Sequence, residues 1–217
     1  IKTKNLPIHI GIIPDGNRRW AKRNGMDYFT AYKNGFDNLK RILDNIIDYG
    51  IYNASVYVLS YENCIKRSKE ELNFLFELSK EGFSYIRQNK KLNENDIAVK
   101  VIGDTSITPE FVQNEIQKTE EETKNRKNGF LNLAYCYSGE WEINLLKKGE
   151  TNLPSLNMKP IDLVIRTGGV RRISGFFPLL VSYAELYFTN MLWPDFNENE
   201  LKKALKWFSL QQRNFGK

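Results

Sequence analysis

The stretch "IIPDGNRRWAKRNG", residues 12–25, ends an apolar run on one carboxylate, Asp15, and turns through Gly16 and Asn17 into Arg18, Arg19, Lys22 and Arg23. Glycine permits unusual backbone angles, the free amides of a helix start bind phosphate, and arginines add bidentate contacts to phosphate oxygens. A lone acid among such donors repels phosphate, and a bridging Mg²⁺ reconciles the two charges. A plain turn followed by a solvated basic face is the competing reading of this stretch alone.

Three further constellations weigh against that competitor. In "LSYENCIKRSKEEL" (59–72), Ser60, Glu62 and Asn63 stand at a strand end, with Lys66 and Arg67 before a helix. Its structural alternative is a polar turn, with Ser68 capping the helix and Glu71 at the third position. "IRTGGVRRISGF" (165–176) sets Arg166 before a Gly-Gly turn and Arg171, Arg172 and Ser174 after it, a second diphosphate clamp. An exposed basic hairpin is disfavoured there, because Arg166 belongs to an apolar strand. Glu185, in "YAELYF", is a charge among aromatic residues and needs a metal or an arginine as partner. A buried structural ion pair is its rival. A phosphatase loop of the haloacid-dehalogenase type needs two aspartates flanking one residue; Pro14 and Gly16 flank Asp15 instead.

The elements that position these residues alternate along the chain. Runs 9–14, 54–60, 97–103, 130–137, 161–167 and 184–188 are rich in Ile, Val, Tyr and Phe and read as strands. Segments 33–49, 68–90, 108–127 and 198–208 read as helices, the third opened by Thr108 as cap with Pro109 at the first position. Such alternation predicts an α/β fold: a single domain over 1–217 with a mostly parallel central sheet and helices on both faces.

At 217 residues, with 41% hydrophobic and 27% charged residues, the chain can bury a core as one domain. A net charge of +6 suits anionic partners such as diphosphates, membrane surfaces or nucleic acid. Nucleic acid is disfavoured, because the arginines gather at strand ends rather than among stacking aromatics. Cys64 and Cys136 are too few for a disulfide framework and read as reduced thiols in a reducing compartment. No apolar run reaches the length of a membrane span.

Taken together, "HIGIIPDGNRRWAKRNG", "YVLSYENCIKRSKEEL" and "IDLVIRTGGVRRISGFFPLLVSYAELYFTNMLWPDF" resemble the motifs of the cis-prenyltransferases, the undecaprenyl and dehydrodolichyl diphosphate synthases. "VKVIGD" and "LNLAYCYSGEWEI" resemble intervening segments, and the likeness runs in unbroken order from about residue 8 to 216. The DDxxD motif of trans-prenyltransferases is missing from the sequence.

The resemblance implies a polyprenyl diphosphate synthase condensing isopentenyl diphosphate onto an allylic primer such as farnesyl diphosphate, with Mg²⁺. Asp15 would hold the metal with help from Glu185. Gly16, Asn17, Arg18 and Arg19 would cradle the allylic phosphates, with Trp20 in the same motif. Ser60, Glu62 and Asn63 would line the gap between substrates, Asn63 as proton relay, and Arg67 completes that segment. Arg166, Arg172 and Ser174 would grip isopentenyl diphosphate. The alternative within the family is a catalytically weak or accessory subunit of a two-chain synthase.

The chain also departs from the pattern. Tyr28 and Tyr32 replace a usual Arg and His, Val170 replaces a Glu, and Cys64 replaces an aromatic residue. "ENCIKR" carries one residue more than the usual spacing before Arg67. The stretch from Trp141 to Pro160 is short, and Asn214 stands where many members have a terminal arginine.

Because a polyprenyl product is apolar beyond its diphosphate, elongation requires an apolar tunnel. Residues 72–87 are expected to wall it, with Phe74 and Phe83 as its closing rings and Leu75 and Leu78 as core. The apolar block 176–193 predicts a homodimer. The expected location is cytoplasmic, with room for peripheral membrane contact through the product, at the endoplasmic reticulum in a eukaryote.

Overall fold

β-Branched and aromatic runs form strands buried on both faces. "HIGII" makes β1 (His9–Ile13), buried at all five positions. The computed structural model describes residues 5–213. After β1 come α1 (Asn17–Asn24), α2 (Tyr28–Asp48), β2 (Asn53–Ser60), α3 (Tyr61–Lys66), α4 (Lys69–Gln88) and α5 (Lys90–Glu94). They are followed by β3 (Ile97–Ile102), α6 (Glu110–Thr123), β4 (Gly129–Tyr137), α7 (Gly139–Lys147), β5 (Leu163–Arg166), β6 (Glu185–Phe188) and α8 (Glu198–Phe208).

The six strands form one sheet in the order β3-β4-β2-β1-β5-β6, and every pairing is parallel. β1 is the point where the order reverses: β2 lies on one side of it and β5 on the other. In open α/β sheets ligands bind outside the carboxyl ends of strands at such a switch point. Asp15 follows β1 there.

Alternate residues of each strand enter different cores, as a period of two requires. Ile12, Val56, Leu133 and Ile165 face a large cluster with α2, α4, α6 and α8. Ile13, Tyr57, Ala134 and Val164 face a smaller one closed by Phe176, Phe177 and Leu180. That second face carries α7 and the irregular segment 173–184 rather than a full helical layer. No helix among the described residues is long and apolar enough to cross a membrane.

Several expectations are corrected. The helix expected from 33 begins at Tyr28, because Asp27 caps it by accepting from the Thr30 amide. Thr108 does not cap α6; its hydroxyl donates to the Thr105 carbonyl, closing a 3-10 turn, and the cap position is Pro109. α3, α5 and α7 were not legible: the first two are a turn or two long, and α7 lies in the shortened stretch. Cys64 and Cys136 are not reduced thiols but a disulfide across a sequence separation of 72. The end of β4 and α3 meet only in the folded sheet.

A buried polar knot fixes the opposite, amino-terminal end of the sheet. The His9 Nδ1–H donates to the Lys159 carbonyl at 3.0 Å, and Nε2 accepts from the Ser55 hydroxyl at 2.8 Å. The Asn132 amide donates to the same hydroxyl. Burial holds the His9 imidazole down at about 4, so it is neutral in this setting.

Candidate functional site

The register that pairs Ile13 with Arg166 brings the ends of β1 and β5 together. Arg166 Nη2 donates to Asp15 Oδ2 at 2.9 Å, and Arg19 Nη2 donates to Asp15 Oδ1 at 3.0 Å. Both carboxylate oxygens are thereby engaged. The Arg166 side chain is only 6% exposed and also donates to Ser174 Oγ at 2.8 Å, while its Nε has no partner.

The turn itself is fixed by groups that sequence reasoning did not single out. The Thr167 hydroxyl accepts from the Asp15 amide at 2.9 Å and donates to the Asp15 carbonyl at 2.7 Å. The Trp193 amide donates to the same carbonyl. The only hint of Thr167 was its place between Arg166 and Gly168. Gly16 caps α1 at φ 116°, and a Cβ there would stand 2.8 Å from Leu192. Gly168, at φ 85°, lies so close under Arg19 that a Cβ would come within 2.5 Å of its Nη2. With no side-chain cap at Gly16, the first amides of α1 are left for an anion.

β2 supplies the second wall. Ser60 caps α3 by accepting from the Asn63 amide at 3.2 Å, which sets Asn63 on the cavity wall. Arg67, the carboxyl-terminal cap of α3, also lines the cavity. Its Nη1 donates to Glu71 and to the Tyr32 hydroxyl, and Tyr32 donates to Glu71. Burial and the Glu71 contact push the Tyr32 phenol up to about 12. Against the upward push of burial, Tyr32 and Arg67 hold Glu71 below the usual carboxylate value. The two tyrosines in place of Arg and His thus serve as partners of arginines: Arg18 lies over the Tyr28 ring, 4.5 Å from its centroid.

These residues ring the mouth of a cavity of about 540 Å³. Among its described lining residues Asp15 is the sole acid, against Arg18, Arg19, Lys40, Arg67 and Arg166. Behind the charged mouth the walls are apolar, formed by Leu39 and Leu43 of α2, Leu75, Leu78 and Phe83 of α4, and Leu133 of β4. Phe36 and Tyr85 stand at its side with Lys40 over both rings, 4.2 and 5.1 Å from the centroids. Leu75, expected to be core, packs against the large cluster and also lines the cavity; Leu78, expected to be core as well, lines it too. Phe83 does as well, but Phe74 does not; it packs on Phe29 with ring centroids 4.7 Å apart.

Gly16, Asn17, Arg18, Arg19, Ser60, Asn63, Arg67, Arg166 and Ser174 therefore stand with Asp15 on this cavity. Trp20 does not: its Nε1 donates to Asp195 at 2.7 Å and braces α1. Glu62 lies off the lining. Arg172 is exposed beside the mouth, its Nε donating to Ser174 Oγ at 3.3 Å. Glu185 is not brought to Asp15 within one chain. It pairs with Leu163 at the start of β6, level with Ile10, so it stands at least ~10 Å back along the strands. Asn214 lies outside the described residues.

Among the described residues no three Asp, Glu, His or Cys side chains group as a metal site. One carboxylate set among arginines does fit a divalent ion that takes its other ligands from substrate phosphates and water, which is how Mg²⁺ is commonly held.

Residues 13–216 match a family model described as putative undecaprenyl diphosphate synthase. A tritrans,polycis-undecaprenyl-diphosphate synthase (geranylgeranyl-diphosphate specific) of Aeropyrum pernix is 38% identical, covering 97% of this chain and 99% of the relative. A ditrans,polycis-undecaprenyl-diphosphate synthase ((2E,6E)-farnesyl-diphosphate specific) of Buchnera aphidicola is 37% identical, covering 100% of this chain and 90% of the relative. The crystal structure of lavandulyl diphosphate synthase from Lavandula x intermedia with dimethylallyl diphosphate superposes with a TM-score of 0.88. It is 29% identical and covers 100% of both chains.

Proposed function

The chain belongs to the undecaprenyl diphosphate synthase family, the cis-prenyltransferases, and on that premise we propose that it condenses isopentenyl diphosphate onto an allylic diphosphate primer. The observation that carries this reading is the amphipathic cavity. Asp15, Arg19 and Arg166 converge at its mouth, and an apolar recess opens directly behind them. A prenyl diphosphate has that shape of polarity: a strongly anionic head on a wholly apolar tail.

The amides at the start of α1, with Arg18 and Arg19, hold the allylic diphosphate, and the recess of α2, α4 and β4 takes its tail. Arg166, Ser174 and Arg172 hold isopentenyl diphosphate beside it. The C1–O bond of the primer breaks, its electron pair leaving with diphosphate, while C4 of isopentenyl diphosphate bonds to C1. The arginines stabilise the charge that develops on the leaving group, in a cavity that keeps water from the cation. The proton lost from C2 leaves past Asn63, whose carboxamide oxygen accepts a hydrogen bond but is too weakly basic to keep the proton. A diphosphate oxygen is the final acceptor.

Asp15 is the residue that would hold Mg²⁺, and the ion supplies further neutralisation of the diphosphate when bound. Each Asp15 oxygen accepts from one arginine, and a carboxylate oxygen has a second lone pair that would be open to the ion. Farnesyl and geranylgeranyl diphosphates are both candidate primers, since relatives are named for each. A second copy of the chain covers the face that exposes Leu179 and Leu186.

Calorimetric titration tests this division of labour. Farnesyl diphosphate should bind more tightly than inorganic diphosphate and with a negative heat-capacity change, because the tail enters the recess. Equal affinity for the two would remove the recess from the account.

A further inference from the structure

The Cys64–Cys136 disulfide lies directly behind the wall that carries Asn63. Asn63 and Tyr135 line the cavity, and the crosslinked residues are their chain neighbours. α3 is only six residues long, and Cys64 is its one buried side chain. Isolated helices of that length are not stable in water. Apart from its caps, Ser60 at one end and the Arg67 cluster at the other, this sulfur is the one buried side chain by which α3 is held to the sheet.

The other half of the crosslink is equally specific. The β2–β4 ladder slips on either side of Leu59: Ala134 pairs with Tyr57, Tyr135 with Leu59, and Tyr137 with Ser60. Cys136 is the residue left over in β4, with φ 47°, a left-handed conformation that residues other than glycine seldom adopt. This bulge turns Cys136 out of the ladder to meet α3. Its backbone is seated on the turn after β3, where the Asp104 amide donates to the Cys136 carbonyl at 3.1 Å and Gly103 leaves no room for a Cβ.

We propose that the Cys64–Cys136 disulfide is a positioning crosslink for Asn63, so that the turnover assigned above depends on the redox state of this pair. The inference rests on the prenyl-transfer reading for its effect on turnover and on the fold alone for its effect on α3. A dithiol reductant supplies the chemistry. Its thiolate attacks the sulfur of Cys64, the less buried of the two at 8% exposure, and releases the Cys136 thiolate, which takes a proton. The second reductant thiolate, its proton lost, then attacks the mixed disulfide and expels the Cys64 sulfur, which is protonated in turn. Two electrons and two protons pass to the protein, and the reductant leaves as its own disulfide. Asp15 follows β1, Arg19 lies on α1 and Arg166 on β5, all away from the crosslink, and they keep their bonds to one another.

The experiment uses the full chain, oxidised and after treatment with dithiothreitol, with thiol titration to establish the state of the pair. Single-turnover transfer from farnesyl diphosphate and the hydrogen exchange of residues 60–67 are read in both states. Reduction should lower kcat about 10- to 100-fold, the scale of a mispositioned group, with KM for the primer unchanged. Exchange in 60–67 should rise while far-UV dichroism stays constant, and reoxidation should restore the rate. Cys136→Ser should match the reduced state and ignore the reductant. If that variant fails to fold, the reduced and reoxidised parent still decide the matter. An equal kcat with the pair shown to be reduced would overturn the proposal, as would a crosslink that resists the dithiol in the folded chain. A chain inactive in both states would refute prenyl transfer, and the positioning role would then stand or fall on the exchange of 60–67.

Discussion

Asp15→Ala removes the carboxylate that both Arg19 and Arg166 grip. Arg166 is 6% exposed, so its guanidinium is left with Ser174 Oγ and the Arg172 carbonyl as its partners. Breaking a fully buried pair costs roughly 3–5 kcal/mol. Asp15 is itself 31% exposed, and solvent screening brings the expected loss to about 1–3 kcal/mol. For a chain of this size that lowers Tm by roughly 3–10 °C. A turn residue would ordinarily cost far less, so the size of the shift reports the Arg166 contact. Inorganic diphosphate without metal supplies the missing negative charge. It should therefore raise Tm more in the variant than in the parent, where Asp15 repels it and competes for the arginines. Prenyl transfer should fall about a hundredfold or more. Scanning calorimetry with and without diphosphate, beside a rate assay, reads all three effects. An unchanged Tm with no diphosphate response would refute the pairing argument, and a tenth of the parent rate would refute Asp15 as the residue that holds the metal.

His9 gives a pH dependence whose sign follows from its burial. The imidazole stays neutral down to about 4 in the folded chain and takes a proton near 6.5 when unfolded, so stability is complete above 6.5 and declines as pH falls toward 4. The loss is about 3 kcal/mol at most, read as Tm against pH and flattened by His9→Gln; equal slopes in both proteins would contradict it. Phe83→Ala, which opens the recess, should shift the products to longer chains at a stability cost of about 3–4 kcal/mol, whereas Phe74→Ala should leave product length unchanged because its ring packs on Phe29. Chromatography of the products checks both, and the same shift in the two variants would place the length control elsewhere. Sedimentation should find a dimer at micromolar concentration, and a fully active monomer would contradict the role given to the Leu179–Leu186 face.

The strands β1, β2, β4 and β5 were legible because they are buried at nearly every position, so the apolar runs at 54–60 and 130–137, rich in Val, Leu and Tyr, admit few other readings. The site was legible where chemistry and turn coincide in sequence, at Asp15-Gly16-Asn17 and Arg166-Thr167-Gly168. What sequence could not supply was geometry created by pairing. The disulfide depends on a bulge at Cys136 that no local pattern announces. Glu185 looked like a metal ligand because a charge among aromatic residues needs a partner, but the register with Leu163 sets it at the far end of the sheet. Leu78 resembled core because a recess wall and a core have the same composition, and Leu75 belongs to both, packed on the large cluster and facing the space between α2 and α4.

One cavity joins a cluster of arginines around Asp15 to an apolar recess. Incubating the chain with Mg²⁺, radiolabelled isopentenyl diphosphate and either farnesyl or geranylgeranyl diphosphate, then separating the products by length, shows whether that cavity performs prenyl transfer. Label should appear in prenyl diphosphates longer than the primer, the added units should be cis, and Arg166→Ala should suppress incorporation. No incorporation with either primer, or added units in trans, would contradict the account.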